Sequence, residues 1–541
     1  MRKNKRNIQA RSRTPPESKT SMKAKNTGYS NGSASFTRQA FRLFNPIQSS
    51  PQADIDSNLN VIRNRSYDIS INSPIGRGII ETQRSNVVGA GLVPSPKIDF
   101  KILGLTPAEA KEWQRSTLAE FRLWADSVTC DLYRKNNFWD MQNIALVGEL
   151  VNGDSFALPK YGKPTLNNPY TLKIQLIESN RVCSPGTYSN IGITNAYSLA
   201  VKNPQNGNDI INGVEIDKNG AVMAYWIANR PPYDPTNLGN ATKWERVVAF
   251  GPRTGLPLIL QVSHEDRPEQ YRGVPQLAPV IEEILQISRY TRAELTAAIV
   301  RSFFTLFFKE GSSGSDIDDV LQSTYQEEKY KLNPNDFKLG AATMNTLPPG
   351  WEIETIDSKS SISTYEPFVN TLITMVGAGL NIPAEVIMGK FNSSYSAARG
   401  ALNQAYAIFK QRRVWFARDF CQPIYEMWLA EAIATGRIKA PGYATDPLIT
   451  KAWSKADWFG PVNGLLDPVK EVQAAQMKIA MGVSTHEREA AELTGTDYED
   501  NVDALALENE KWSAAGLQKQ NIQVINTEGK EKDDALLESE K

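Results

Sequence analysis

Histidine and cysteine are scarce in this chain. Its 541 residues hold two histidines, His264 and His486, and three cysteines, Cys130, Cys183 and Cys421. The cysteines stand far apart, with no CxxC or Cys/His spacing. That excludes a zinc-ribbon type of site and a disulfide framework, and it fits buried thiols in a reducing compartment. The histidines lie in "SHEDRPEQYRG" and "STHEREA", neither of which is a nucleophile or metal-ligand pattern, although a dispersed Ser-His-Asp arrangement stays open at this point. "HEDRP" reads instead as a charged turn ahead of a long helix. Net charge is missing too: 60 basic and 60 acidic residues leave no overall field toward nucleic acid or membrane, so any such pull must be local. There is also no long apolar run. The most lipophilic stretch, "LTAAIVRSFFTLFF" (295–308), contains Arg301 and is several residues short of the roughly 20 that a bilayer span needs. It is expected to be a buried or interfacial helix. Residues 1–50 carry eleven Lys or Arg, one acid (Glu17) and no apolar core of signal length, so export is not expected.

Phosphate and metal signatures are equally thin. "VGAGL" occurs at 88–92 and 376–380, but Pro94 and Ile382 stand where a dinucleotide fingerprint needs its third glycine, so both copies read as helix C-caps. "ALPKYGKPT" has Gly162-Lys163 but Pro164 where a Walker A loop needs a hydroxyl. "GSSGS" (311–315) ends in Ser315 where a nucleophile elbow needs glycine, and Asp316, Asp318 and Asp319 read as solvated loop charge. No cofactor, metal or catalytic residue is expected.

What is present is ample core and strong segmentation. A 41% hydrophobic content over this length supports several domains. Residues 1–45 form a basic arm and 526–541 an acidic tail, both too polar to bury a core and both predicted to be disordered. Between them the pattern is α+β. Helical spacing runs through 54–87, 107–125 and 136–152; strand and turn signals dominate to about 262, with a hairpin turn at Lys218-Asn219-Gly220. A helix is predicted over 277–309, about 50 Å long at 1.5 Å per residue, with Pro279 in its first turn. A strand-prone insert, a helix over 363–380 and a long helix over 397–435 follow. Two short helices are predicted in 467–495, the second capped at Ser484 or Thr485. Eleven tryptophans fit large interfaces, although a plain core accounts for most of them.

The stretch "FNSSYSAARGALNQAYAIFKQRRVWFARDF" (391–420) joins small hydroxyl residues to a basic, aromatic helix with Lys410, Arg412, Arg413 and Arg418. With "NSPIGRGIIETQRSNVVGAGL", "EFRLWADSVTCDLYRKNNFWDMQNIALVGELVNGDSFALP", "NGVEIDKNGAVMAYWI", "HEDRPEQYRGVPQLAPVIEEILQISRYTRAELTAA", "PPGWEIETID" and "DPVKEVQAAQMKIAMGVSTHEREAAELTGTDYED", this chain resembles the lambda-type family of bacteriophage portal proteins over most of 55–510. The resemblance implies a non-enzymatic homo-oligomeric ring, typically a dodecamer, at a capsid vertex of the virion, assembled in the host cytoplasm. Double-stranded DNA would pass through its axis during packaging and ejection. Implied partners are the terminase large subunit, head-tail connector proteins and a major capsid or scaffolding protein, with no membrane. The implied parts are a wing (46–276), a stem helix (277–309), a clip (310–360), a second stem helix (361–385), a tunnel loop (386–396), a long helix and further wing (397–460) and a crown (461–525). Lys390, Asn392, Ser393, Ser394, Tyr395 and Ser396 would line the DNA channel. A sleeve through which DNA slides should not neutralise phosphates strongly, and Lys390 is the only charge in that loop before Arg399. Arg399, Arg412 and Arg413 would then serve in the wing or between subunits. The competing reading is a nucleic-acid-processing, terminase-like enzyme of phage packaging, which would need a Walker lysine or clustered metal carboxylates.

Overall fold

The computed structural model describes residues 46–185, 200–231, 242–303, 307–310, 351–354, 365–391, 394–462, 468–496 and 498–516, together with 39, 43 and 44. The basic arm and the acidic tail lie almost wholly outside the described residues, as does most of the 310–360 segment.

Two helices open the fold where the sequence suggested one: α1 (Leu59–Asn72) and α2 (Pro74–Val87). The break is at Ser73, whose extended backbone precedes a proline and whose Oγ accepts from Gly76 N. The chain returns so tightly that a Cβ at Gly76 would lie 2.4 Å from the Ile69 side chain. Strand β1 (Val93–Pro96) and the short α3 (Phe100–Leu103) lead to α4 (Pro107–Ala125), which starts at a reciprocal capping box between Thr106 and Glu109. α5 (Phe138–Asn152) ends, as its Asn-Gly-Asp turn predicts, on Gly153 at φ 87° and passes directly into β2 (Asp154–Tyr161).

Strand β3 (Leu172–Ile177) and β9 (Leu260–Ser263) flank β2 in an antiparallel sheet of three. A separate antiparallel meander contains β4 (Ala200–Lys202), β5 (Asp209–Ile211), β6 (Val214–Ile216), β7 (Val222–Ala228) and β8 (Trp244–Val248). Its β6–β7 turn is the predicted one, with Gly220 at φ 84°.

The predicted 277–309 helix is shorter than expected. A 3-10 turn at Ala278–Val280 leads into α6 (Ile281–Phe303), about 35 Å long at 1.5 Å per residue. Beyond it, β10 (Phe307–Glu310) pairs antiparallel with β11 (Trp351–Glu354). The aromatic run that continues the apolar pattern is itself strand-prone, and a "WEIE" partner is available to pair with it. α7 (Tyr365–Leu380) returns beside α6, with Tyr290 stacked on Tyr365 at 5.6 Å. The first "VGAGL" is a helix-ending turn, with Gly89 and Gly91 at positive φ. The second is not a glycine cap: Gly377 and Gly379 lie inside α7 and Asn381 takes the left-handed position. Gly377 is needed because a Cβ there would sit 2.5 Å from the Ile382 carbonyl oxygen.

After α8 (Ala384–Met388), one continuous helical run joins α9 (Tyr395–Phe416), a π-helical turn (Ala417–Cys421) and α10 (Gln422–Ala434). The wide turn accommodates Pro423, which would otherwise clash with the preceding turn. α11 (Pro447–Ser454) and β12 (Ala456–Phe459), paired with β1, complete the body. The two helices predicted in 467–495 are α12 (Pro468–Ala480) and α13 (His486–Leu493), and a further helix, α14 (Tyr498–Ala514), follows them. Thr485, not Ser484, caps α13. The main core gathers α2, α4, α5 and the long helix around Phe121, Trp124, Phe138, Phe420, Tyr425 and Trp428, all fully buried. Much of the aromatic excess is therefore ordinary core.

Candidate channel loop and its basic helix

The loop singled out from sequence is shorter than 386–396. Val386 and Ile387 belong to α8 and pack against the core, which takes them out of any free segment. Gly389, at φ 63°, closes that helix as Lys390 N donates to the Glu385 carbonyl at 3.2 Å. At the other end Ser394 is the N-cap of α9, accepting from Ala397 N at 3.4 Å, so Tyr395 and Ser396 lie in the first helical turn and not in the loop. The connection is thus 389–394, of which Asn392 and Ser393 lie outside the described residues. Lys390 is well exposed, and its ammonium is 4.0 Å from Glu366 on α7. Ser394 and Ser396 are exposed as well.

The basic residues of α9 face partners within the chain. Arg413 is buried and donates to the Val87 carbonyl (3.0 Å), the Asn86 carbonyl (2.9 Å) and the Pro461 carbonyl (2.6 Å). Two of these acceptors are at the C-terminal end of α2, where a cation satisfies orphan carbonyls and opposes the helix dipole. Arg412 faces Glu149 at 3.9 Å, Arg399 faces Glu471 at 3.8 Å, and Lys410 faces Glu492 at 3.2 Å. Arg418 forms a forked contact with Asp419 at 2.6 and 2.8 Å. These basic side chains are fasteners within the chain.

Sequence spacing did not reveal the most heavily connected charges. Asp154, read as part of a turn, is fully buried and accepts from Arg272 Nε at 2.6 Å and Arg63 Nη2 at 2.8 Å. Arg272 also donates to the carbonyls of Ser179, Val182 and Asn212, tying both sheets to the segment that precedes α6. Burial pushes the Asp154 carboxyl up, but Arg272 and Arg63 outweigh it and hold the group below its usual range. Glu149 shows the opposite balance. Burial raises it to about 7 and the longer contact with Arg412 offsets this only in part. A carboxylate in the meander, Glu215, is held low, to about 2: its burial is outweighed by a forked Arg246 contact and by Asn206, Asn208 and Trp226.

The two histidines have packing contacts. His264 stacks on Trp415 at 4.1 Å and His486 lies against Tyr498 at 5.2 Å. Among the described residues no group of three or more His, Cys, Asp or Glu side chains could hold a metal ion. Among them, too, no helix is long and apolar enough to cross a membrane.

Residues 37–413 match the phage portal protein, lambda family. The portal protein of Escherichia phage N15 is 25% identical over 520 residues, covering 93% of each chain. Portal protein B of Escherichia phage lambda is 25% identical over 524 residues, again covering 93% of each. A probable portal protein of Halomonas phage phiHAP-1 is 22% identical over 77% of this chain and 74% of its own. Among solved structures, the neck of a native gene transfer agent particle computed with C12 symmetry aligns with 80% of this chain and 92% of its own, at 9% identity and a TM-score of 0.40. The family match spans the helices on both sides of the 389–394 connection and most of the basic helix, and the two Escherichia phage relatives cover 93% of the chain: the chain belongs to the lambda family of phage portal proteins.

Proposed function

We propose that this portal protein assembles as a ring of identical subunits at one vertex of the capsid, with duplex DNA passing along the axis during packaging and ejection. In this reading α6 and α7 form the stem and the 310–360 segment forms the clip that docks the terminase large subunit and later the head-tail connector. The 389–394 connection faces the channel, and the chain works as a conduit without catalysing a reaction of its own. The match to the family over 37–413 carries this reading. Two features of the chain support it. Arg412 and Arg413 of α9 are engaged within the chain, and the connection itself carries Lys390 and small hydroxyl residues. Such a surface offers DNA weak, interchangeable contacts and lets it slide. The α6–α7 pair also leaves Leu295, Ile299, Phe368 and Met375 exposed, an apolar surface suited to a neighbouring copy.

The experiment is a packaging assay with Asn392 and Ser393 both replaced by glycine and with Lys390→Ala, leaving the capping Ser394 untouched. Rings should form as in the parent, while packaging or retention of DNA falls. Undiminished packaging in both variants would take the connection out of the DNA path. Purified protein should hydrolyse no ATP and cleave no DNA. Turnover that follows the protein through purification and is abolished by a point substitution in it would contradict the conduit reading.

A further inference from the structure

The three C-terminal helices are joined to the body almost without a core. Only Ala475 in α12 and Glu489 in α13 are buried, and no residue of α14 is. Their large apolar side chains lie on the outside: Val472, Met477, Met481, Val502, Leu505 and Trp512 are all exposed. Burial of apolar surface therefore contributes little to holding α12–α14 in place.

Charge reaches across instead, and with one polarity. Residues 468–516 carry ten acidic and four basic side chains. Lys97 meets Glu487 at 3.2 Å, Lys410 meets Glu492 at 3.2 Å and Arg399 meets Glu471 at 3.8 Å. Lys111 pairs with Glu499 and Arg115 with Asp503, one helical turn apart on both α4 and α14. In all five the cation belongs to the body and the carboxylate to the C-terminal helices. The five cations keep 40–67% of their side chains exposed, so solvent and salt reach every pair. The helices have their own internal tie, from Lys478 to both carboxylate oxygens of Glu489 at 3.2 Å. On the body side the Pro461 carbonyl accepts from buried Arg413 at 2.6 Å.

We propose that residues 468–516 form an electrostatically latched module. It stays docked while the cations Lys97, Lys111, Arg115, Arg399 and Lys410 hold its carboxylates. It comes away as a unit when the phosphates of duplex DNA compete for those cations. The latch itself is a property of one chain, while DNA as its competitor rests on the conduit reading.

Hydrogen exchange on the full-length, assembled protein tests this. Raising NaCl from about 50 mM to about 500 mM shortens the Debye length from roughly 14 to roughly 4 Å and should speed exchange across 468–516 about tenfold, leaving 138–160 unchanged. Adding a random-sequence DNA duplex at the lower salt should do the same. Arg115→Asp should open the module at low salt, and Arg115→Asp combined with Asp503→Arg should close it again. Salt-independent exchange would show that packing holds the helices and would overturn the latch. A response to salt but none to the duplex would overturn DNA as the competitor, and an open double variant would overturn the pairing.

Discussion

Arg272 and Asp154 show how far a single buried pair reaches. Replacing Arg272 by methionine fills its volume but strips Asp154 of its forked partner inside a site with no solvent access. The expected loss is about 3–5 kcal/mol, read as a lower urea midpoint with an unchanged slope. The pH dependence follows from the depressed carboxyl: its contribution is present above the ordinary carboxylate range and disappears as pH falls through the folded-state value. The deficit of Arg272→Met should therefore be largest near neutral pH and narrow as pH falls through the folded-state value of the parent carboxyl, read as urea midpoints measured across pH. Glu149 has the opposite sign. Raised to about 7, it contributes stability below the unfolded carboxylate range and loses it as pH climbs toward neutrality. Glu149→Gln should match the parent near about pH 4 and exceed it by about 1–3 kcal/mol near about pH 8. Neither role was legible beforehand. Local spacing marks Asn152-Gly153-Asp154 as a turn, which it is, but Arg272 lies 118 positions away and only the folded chain brings it to Asp154.

Helices and turns were far more legible, because their signals are local. The capping box at Thr106, the Gly153 stop and the Gly220 hairpin turn appear where the residues put them. The errors arise where two local preferences compete. Residues 307–310 continue an apolar helical pattern but find a strand partner at 351–354, so α6 ends sooner than its hydrophobicity suggests. The small hydroxyl residues around Ser394 suggest a loop, yet one of them has to be the cap of α9. Glycines give a direct check on these junctions. A Cβ at Gly273 would lie 1.7 Å from the Gly153 carbonyl oxygen, so Gly273→Ala should disrupt the α5–β2 corner and yield little folded protein in a solubility and circular-dichroism assay. Gly400, inside α9, meets nothing within 4 Å, and Gly400→Ala should raise stability by up to about 1 kcal/mol.

For the molecule as a whole, the subunit divides into a well-packed body and parts that keep apolar or charged surface outside. The body's core is aromatic and continuous from α2 to α10. The α6–α7 pair and α12–α14 are the opposite, with large side chains such as Leu295, Met375, Leu505 and Trp512 exposed. In the proposed ring the α6–α7 face is the one offered to neighbouring copies, while α12–α14 keep theirs outside. Family membership was legible through the order of many weak segments, none of them a catalytic signature, and the match over 37–413 agrees with it. The fate of the basic helix was not legible, because the charges of Arg399, Lys410 and Arg412 are answered by Glu471, Glu492 and Glu149, all distant in sequence. In the proposed ring the 389–394 connection faces the channel. Electron cryo-microscopy of the purified full-length protein tests it most directly. The expected result is a closed ring with an axial channel narrowest at Lys390–Ser394. Discrete monomers, or a ring with that connection on its outer rim, would contradict it.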